Sequence, residues 1–179
     1  MPEVAENYKS RILLTALRRT AFRIWGIVIA LVGLWFFLTL LAPVAAAYGV
    51  TGISDPIYGF FSHVCHQDPM RSFHMLGHKF GVCSRCFGVY FGLFFGLAVY
   101  PLLRSMSEIE PLPRIWLFLA IIPMGVDWSL GAFDIWSNTF FTRFTTGSLL
   151  GFACAVFIVP ALVELAQMIL MKQQKRQNV

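Results

Sequence analysis

The residues best equipped for chemistry fall in one short stretch: Ser62-His63-Val64-Cys65-His66-Gln67, followed by Cys83-Ser84-Arg85-Cys86. Thiolates and imidazoles are soft donors, so this grouping points to a bound transition metal or to a redox-active thiol pair. Two thiolates spaced as Cys83-x-x-Cys86 can grip one ion from a turn leading into a helix. Cys65 offers a third ligand from across the loop. His63, His66 or His78 can then close a tetrahedral zinc site, with iron as the alternative ion. Adjacent residues rarely both ligate one ion. Cys65 and His66 therefore compete or divide the roles, with His66 then carrying protons or supporting a ligand from behind.

Redox chemistry is the main rival. An outward membrane face is oxidising and disulfides form there. A CxxC at a helix N-terminus, with Arg85 between the thiols, has a depressed thiol pKa, and Cys65 can act as the resolving thiol. Against this, three thiols leave one unpaired, and the neighbouring histidines suit a metal better. The blandest alternative is a Cys83–Cys86 or Cys65–Cys83 disulfide that staples the loop. Cys154, in Gly151-Phe152-Ala153-Cys154-Ala155, reads as a small packing residue. His74 and His78, four apart, read first as interfacial histidines.

A second constellation is charged. Arg71, Arg85, Asp127 and Arg143 all fall near the ends of apolar segments. A carboxylate inside an apolar span is costly unless paired, so Asp127 is a functional candidate with Arg85 or Arg143 as partner. One reading is an ion pair that locks helix to helix. The other is a polar pocket lined by arginines, whose guanidinium forks match phosphate or carboxylate bidentately. Asn138, Thr139, Thr145 and Thr146 add hydrogen-bonding groups nearby. Glu164 reads as a snorkelling or capping residue before it reads as a proton relay.

The elements that must hold these groups are membrane spans. The 179 residues are 58% hydrophobic and only 13% charged, with mean hydropathy +0.69, whereas a soluble domain carries about 25% charged residues. The expected fold class is all-α: one polytopic unit of four transmembrane helices, with short interfacial helices in the first outer loop. Nothing is charged between Arg23 and Asp55, which predicts a first span over Ile24–Ala46. Cys86–Leu103 is the second, the segment after Arg114 up to Phe133 the third, and Phe144–Met171 the fourth. The first run is too long for a signal-peptide core and reads as a retained span. Asp55-Pro56 predicts a short helix over Pro56–Cys65, and another is expected over Pro69–Gly77.

Four spans put both termini on one side. The N-terminal segment 1–23, the Arg104–Arg114 turn and the tail 172–179 hold ten of the Lys and Arg residues, against four at Arg71, Lys79, Arg85 and Arg143. The positive-inside rule then places both termini in the cytoplasm and the loop of residues 49–85 outside a cell membrane. The basic flanks read as anchors to the bilayer, not as arms for nucleic acid. Gly88, Gly92 and Gly96 recur every four residues in the second span. They predict close helix packing, within the chain or in a homodimer.

Several of these residues also carry a resemblance. Cys65-His66-Gln67, Arg71-Ser72-Phe73, Gly77 and Cys83-x-Arg85-Cys86-x-Gly88-x-Tyr90-x-Gly92 resemble the signature of a prokaryotic family of predicted membrane proteins, domain of unknown function 2085. Asp127 and Asn138-x4-Arg143-x3-Gly147 resemble its second block, and the likeness spans residues 55–155. It implies that Cys65, His66, Gln67, Arg71, Ser72, Cys83, Arg85, Cys86, Asp127, Asn138 and Arg143 form one family site. Trp128 departs from the family pattern, which has a small residue there. The resemblance implies no reaction.

The combined expectation is a metal, zinc first, on Cys65, Cys83 and Cys86 with His66. His66, Asp127, Arg71, Arg85 and Arg143 would serve catalysis, and Gln67, Ser72 and Asn138 would bind an anionic lipid or other small anionic ligand. The rivals are a thiol-disulfide oxidoreductase and a transport or binding module with a structural metal.

Overall fold

The structure is a computed structural model that describes residues 2–106 and 112–177. Part of the expected turn between Arg104 and Arg114 lies outside the described residues, as do the end of the tail and the side chains of Lys9, Arg11, Lys175 and Arg176. Among the described residues are five α-helices, α1 Pro2–Ala47, α2 Thr51–Ser62, α3 Ser84–Leu103, α4 Ile115–Ala132 and α5 Phe140–Gln177, and one hairpin, β1 His74–Met75 with β2 His78–Lys79. Segments of α1, α3, α4 and α5 are long and apolar enough to cross a membrane: Leu14–Ala47, Ser84–Leu103, Ile115–Ala132 and Phe140–Lys172. The chain is an all-α membrane protein with four spans.

The helices outrun the spans read from charge. α1 continues through Arg18, Arg19 and Arg23, and α5 begins four residues before Phe144. A charge marks where the bilayer ends, whereas a helix ends where its backbone is capped. α1 stops in such a cap. Gly49 takes φ +71°, Val50 N–H donates to Ala45 O at 2.9 Å and Gly49 N–H to Ala46 O at 3.0 Å. This is the paired-bond cap that a left-handed residue permits. The chain then turns directly into α2, so α2 starts at Thr51 with Val50 as its cap and holds Pro56 inside. The expected start at Asp55-Pro56 is too late because the α1 cap already delivers the backbone into helical geometry.

The seam between α3 and α5 is the tightest contact. A Cβ at Gly92 would lie 2.1 Å from Ser148 O, and one at Gly151 would lie 2.1 Å from Val89 O. Both distances are far inside van der Waals contact, so only glycine fits. The pairings 88 with 144, 92 with 148 and 96 with 152 rise together, so the two helices run parallel. Gly88, Gly92 and Gly96 are therefore covered by α5 of the same chain, and a second copy would have to dock elsewhere.

Two helix prolines tie the bundle together through the carbonyls they leave free. A proline lacks the N–H that the carbonyl four residues earlier would receive. Pro43 thereby frees Thr39 O, which accepts from Gly81 N–H at 3.0 Å. Pro101 frees Leu97 O, which accepts from Trp25 Nε1 at 2.9 Å. The first of these bonds pins the loop to α1 two residues before Cys83.

Candidate metal centre and arginine cavity

After α2 the chain passes through an irregular segment, Cys65 to Asp68, in which buried and exposed residues alternate. Cys65 and Gln67 turn inward, while His66 faces out. Val82 and Phe61, both fully buried, pack with Cys65 into an apolar corner with Trp35 and Phe87 at its margin. Cys83 is the N-cap of α3, and Cys86 lies one turn further on. The sulfurs of Cys65, Cys83 and Cys86 all lie within 4.8 Å of one another, and none is in a disulfide. A tetrahedral zinc with Zn–S bonds of about 2.3 Å needs sulfurs about 3.8 Å apart. The trio fits with a small inward shift.

The thiols hold one another. Cys83 N–H donates to Cys65 Sγ at 3.2 Å. Hydrogen bonding from the Cys65 thiol, then from the Cys86 thiol, pulls Cys83 down from 9.0 to about 2, against the opposing effect of burial. Hydrogen bonding from its two neighbours thus favours the thiolate form at Cys83. A second and third thiolate this close would repel it, so full deprotonation of the trio needs a cation among them.

No histidine joins the sulfurs among the described residues. The expected fourth ligand, His66, stands exposed between the buried Cys65 and Gln67. His63 is also exposed, with Nδ1 2.8 Å from Gly59 O. His74 and His78 occupy the hairpin, both exposed. That hairpin replaces the short helix expected over Pro69–Gly77. A three-residue 3-10 turn, Pro69–Arg71, is capped by Asp68, and the chain then reverses at Leu76 and Gly77, with φ +54° and +80°. Two successive positive φ values make the tight hairpin turn that matches strand twist.

Gln67 and Ser72, expected to contact ligand, turn inward instead. Gln67 sits at φ +51°, its Nε2 donates to Tyr58 O at 2.8 Å, and its own carbonyl accepts from Lys79 Nζ at 2.8 Å. Ser72, fully buried, donates to Asp68 O at 2.7 Å. Both fasten the loop. Ser84, Arg85's neighbour, donates to Arg71 O at 3.0 Å and ties the loop to α3.

The charged group does assemble. Arg85 reaches across from α3 and pairs with Asp127 of α4, with the two side chains 13% and 9% exposed. Asn138 Nδ2 donates to the Asp127 carbonyl, so Asn138 braces the end of α4 from the following link. Arg85 Nε is buried without a partner among the described residues. Arg71 pairs with Asp68 at 3.2 Å on the surface. Arg143 makes no ion pair among the described residues, although it feels the charges of Arg85, Arg71, Asp127 and Cys83. A cavity of about 280 Å³ opens between the loop and the α4–α5 link, lined by Arg71, Asp134, Trp136, Asn138 and Arg143 among others. Asp134 and Trp136 come from a link whose sequence showed polar groups but not their convergence on a cavity. Gly81 and Pro43, which place the cysteine loop, left only the proline as a signal.

The site's residues coincide with a family block. The family described as "Predicted membrane protein (DUF2085)" matches residues 65–157. An uncharacterized protein of Methanocaldococcus jannaschii is 37% identical over 137 residues, covering 73% of this chain and 87% of that protein. An uncharacterized protein of Methanothermobacter thermautotrophicus is 33% identical over 96 residues, covering 54% of this chain and 85% of its own length. No solved structure matches the chain. The chain belongs to the DUF2085 family of predicted membrane proteins.

Proposed function

We propose that this membrane protein holds one transition-metal ion, zinc first, on Cys65, Cys83 and Cys86. The observation that carries the proposal is the approach of three free sulfurs to within 4.8 Å of one another. Three protein ligands leave the fourth position to water or substrate, the pattern of catalytic rather than closed structural sites. A bound ion there would supply Lewis acidity or an activated water. The chain's own residues would do the rest. Arg143 and Arg71 would receive an anionic lipid or lipid-linked ligand in the cavity, Arg85 and Asp127 would fix the α3–α4 geometry, and Asn138 would hold the cavity's floor. Basic flanks at α1 and α5 favour a cell-membrane topology with both termini cytoplasmic and this site outward.

Cobalt(II) titration of the purified protein tests the metal reading. Thiolate coordination gives an intense near-ultraviolet band, expected to saturate at about one ion per chain. It should vanish in Cys65→Ser and be reversed by zinc. A titration with no such band refutes the site.

A second reading has its own support in the Cys83 thiolate, held down to about 2 at the head of α3. As a thiol-disulfide exchanger, Cys83 would attack a partner disulfide, release one partner thiolate and form a mixed disulfide. Cys86 or Cys65 would then displace the second partner thiolate and leave an intramolecular disulfide. Such a protein would show a reductant-sensitive thiol count and no bound metal.

A further inference from the structure

The charges around the cavity do not all cancel internally. Arg71 is paired with Asp68 and Arg85 with Asp127. One guanidinium and one carboxylate of the cavity remain outside any ion pair among the described residues: Arg143 and Asp134. They line the same 280 Å³ space without closing on each other. A site built for a simple anion has no use for a carboxylate in its wall, because like charge repels the ligand. A site with one fixed positive and one fixed negative group matches a ligand that carries both.

The backbone at Asp134 closes α4. It follows the end of α4 at φ +52°, and Ile135 N–H donates back to Leu130 O at 3.0 Å. Asp occupies the left-handed position that ends a helix, which Asp and Asn tolerate. Trp136 stands beside it in the cavity wall, and an indole face attracts ammonium groups. Phe133, Ile135 and Phe141, close in sequence to the lining residues, are exposed at the same end of the bundle. Exposed aromatics at the end of a span sit at the headgroup level of a bilayer.

We propose that the cavity binds a zwitterion with a phosphate diester linked to an ammonium group, the headgroup chemistry of an aminophospholipid. The phosphate lies on Arg143, supported by Arg71, and the ammonium lies between Asp134 and Trp136. This rests on the reading of the cavity as an anion site and adds the second charge.

The test is native mass spectrometry of the full-length protein released from nanodiscs of phosphatidylethanolamine and phosphatidylglycerol, mixed equally. Soluble glycerophosphoethanolamine is tested separately. An ion pair and a cation–π contact together predict retention of phosphatidylethanolamine about tenfold over phosphatidylglycerol. Asp134→Asn keeps the backbone geometry, because Asn accepts the same φ, and should erase that preference while phospholipid is still retained. Arg143→Gln should lose both lipids, with melting temperature and metal content as controls for folding. Arg143→Lys, which keeps the charge, should restore much of the retention. Binding of the soluble headgroup without the lipid keeps the zwitterion and places its source in solution. Equal retention of both lipids, unchanged by Asp134→Asn, overturns the ammonium site and leaves the anion site standing. Retention insensitive to Arg143→Gln overturns both.

Discussion

The first turn of α3 and the three turns that follow it make opposite demands on the same helix. The body of α3 is joined to α5 by backbone on backbone. Gly88, Gly92 and Gly96 leave no room for a side chain, and Gly147 and Gly151 answer from the other helix. The first turn is joined to its surroundings by side-chain chemistry. Cys83 and Cys86 meet Cys65, and Arg85 meets Asp127. In a membrane, where lipid is as apolar as leucine, close packing of small residues gives helix association a defined geometry. The seam therefore fixes where the first turn stands, and the polar contacts recruit what the seam does not reach. α4 shows the second mode most clearly. It buries only Ala120 and Asp127, so its polar end, more than its apolar face, decides where it docks.

If the seam is the scaffold, breaking it should have the largest effect. Gly92→Val or Gly151→Val would drive a side chain into backbone already within 2.1 Å of the added Cβ. Overpacking of this kind costs about 3 kcal/mol or more when backbone cannot give. We expect no monodisperse peak for either variant in detergent size-exclusion chromatography, and wild-type behaviour from Gly26→Ala, where a Cβ meets nothing within 4 Å.

Next in size is the polar tether. Asp127→Asn leaves the Arg85 charge buried and uncompensated, which costs about 3–5 kcal/mol. The thermal melting temperature should drop sharply. Replacing both partners, Arg85→Met with Asp127→Leu, should recover most of it, because a well-packed apolar pair is as stable as a buried ion pair. Recovery of stability without recovery of lipid retention would separate the pair's role in docking α4 from any role at the cavity.

The metal corner should respond to pH in one direction. Every sulfur ligand must be a thiolate, so protons compete with the ion and affinity falls as pH falls. The three sulfurs share their protons through mutual hydrogen bonds, so the loss tracks protonation of the trio as a whole. Chelator competition across pH 5–8 would show the trend. An affinity flat across that range would disconnect the thiols from the metal.

The smallest effect is expected at His66. His66→Ala should leave the bound ion in place and the unfolding free energy within about 0.5 kcal/mol of wild type, as for an ordinary surface change. Loss of the ion in this variant would return His66 to the ligand set and require the Cys65–Asp68 segment to rearrange.

That histidine also marks the limit of what the sequence made legible. The three cysteines were readable because thiol spacing is a local pattern and the topology could bring it together. The choice of a fourth ligand depended on which way each residue of Cys65–Asp68 faces. Only the fold decides that, because the segment is irregular and turns at Gln67 through φ +51°. The hairpin at Leu76-Gly77 was missed because Leu seldom takes the first positive-φ position, so the usual Asn-Gly signal was absent. The spans followed from hydropathy, and the α3–α5 seam was signalled by the four-residue glycine spacing, though not its partner. The placing of the cysteine loop by Pro43 and Gly81 could not be foreseen, since a freed carbonyl has no sequence mark for the residue that will use it. An arginine partner for Asp127 was legible because a charge inside a span demands one, and the fold decided for Arg85 over Arg143. That Arg143 and Asp134 line one cavity needed the fold.

The most direct test of the account is elemental analysis of the purified protein, wild type beside Cys83→Ser. It predicts about one zinc or iron per chain in the wild type and close to none in the variant, with both chains folded. A wild type free of metal, whose thiol count rises on reduction, would contradict it and make the three sulfurs a disulfide system.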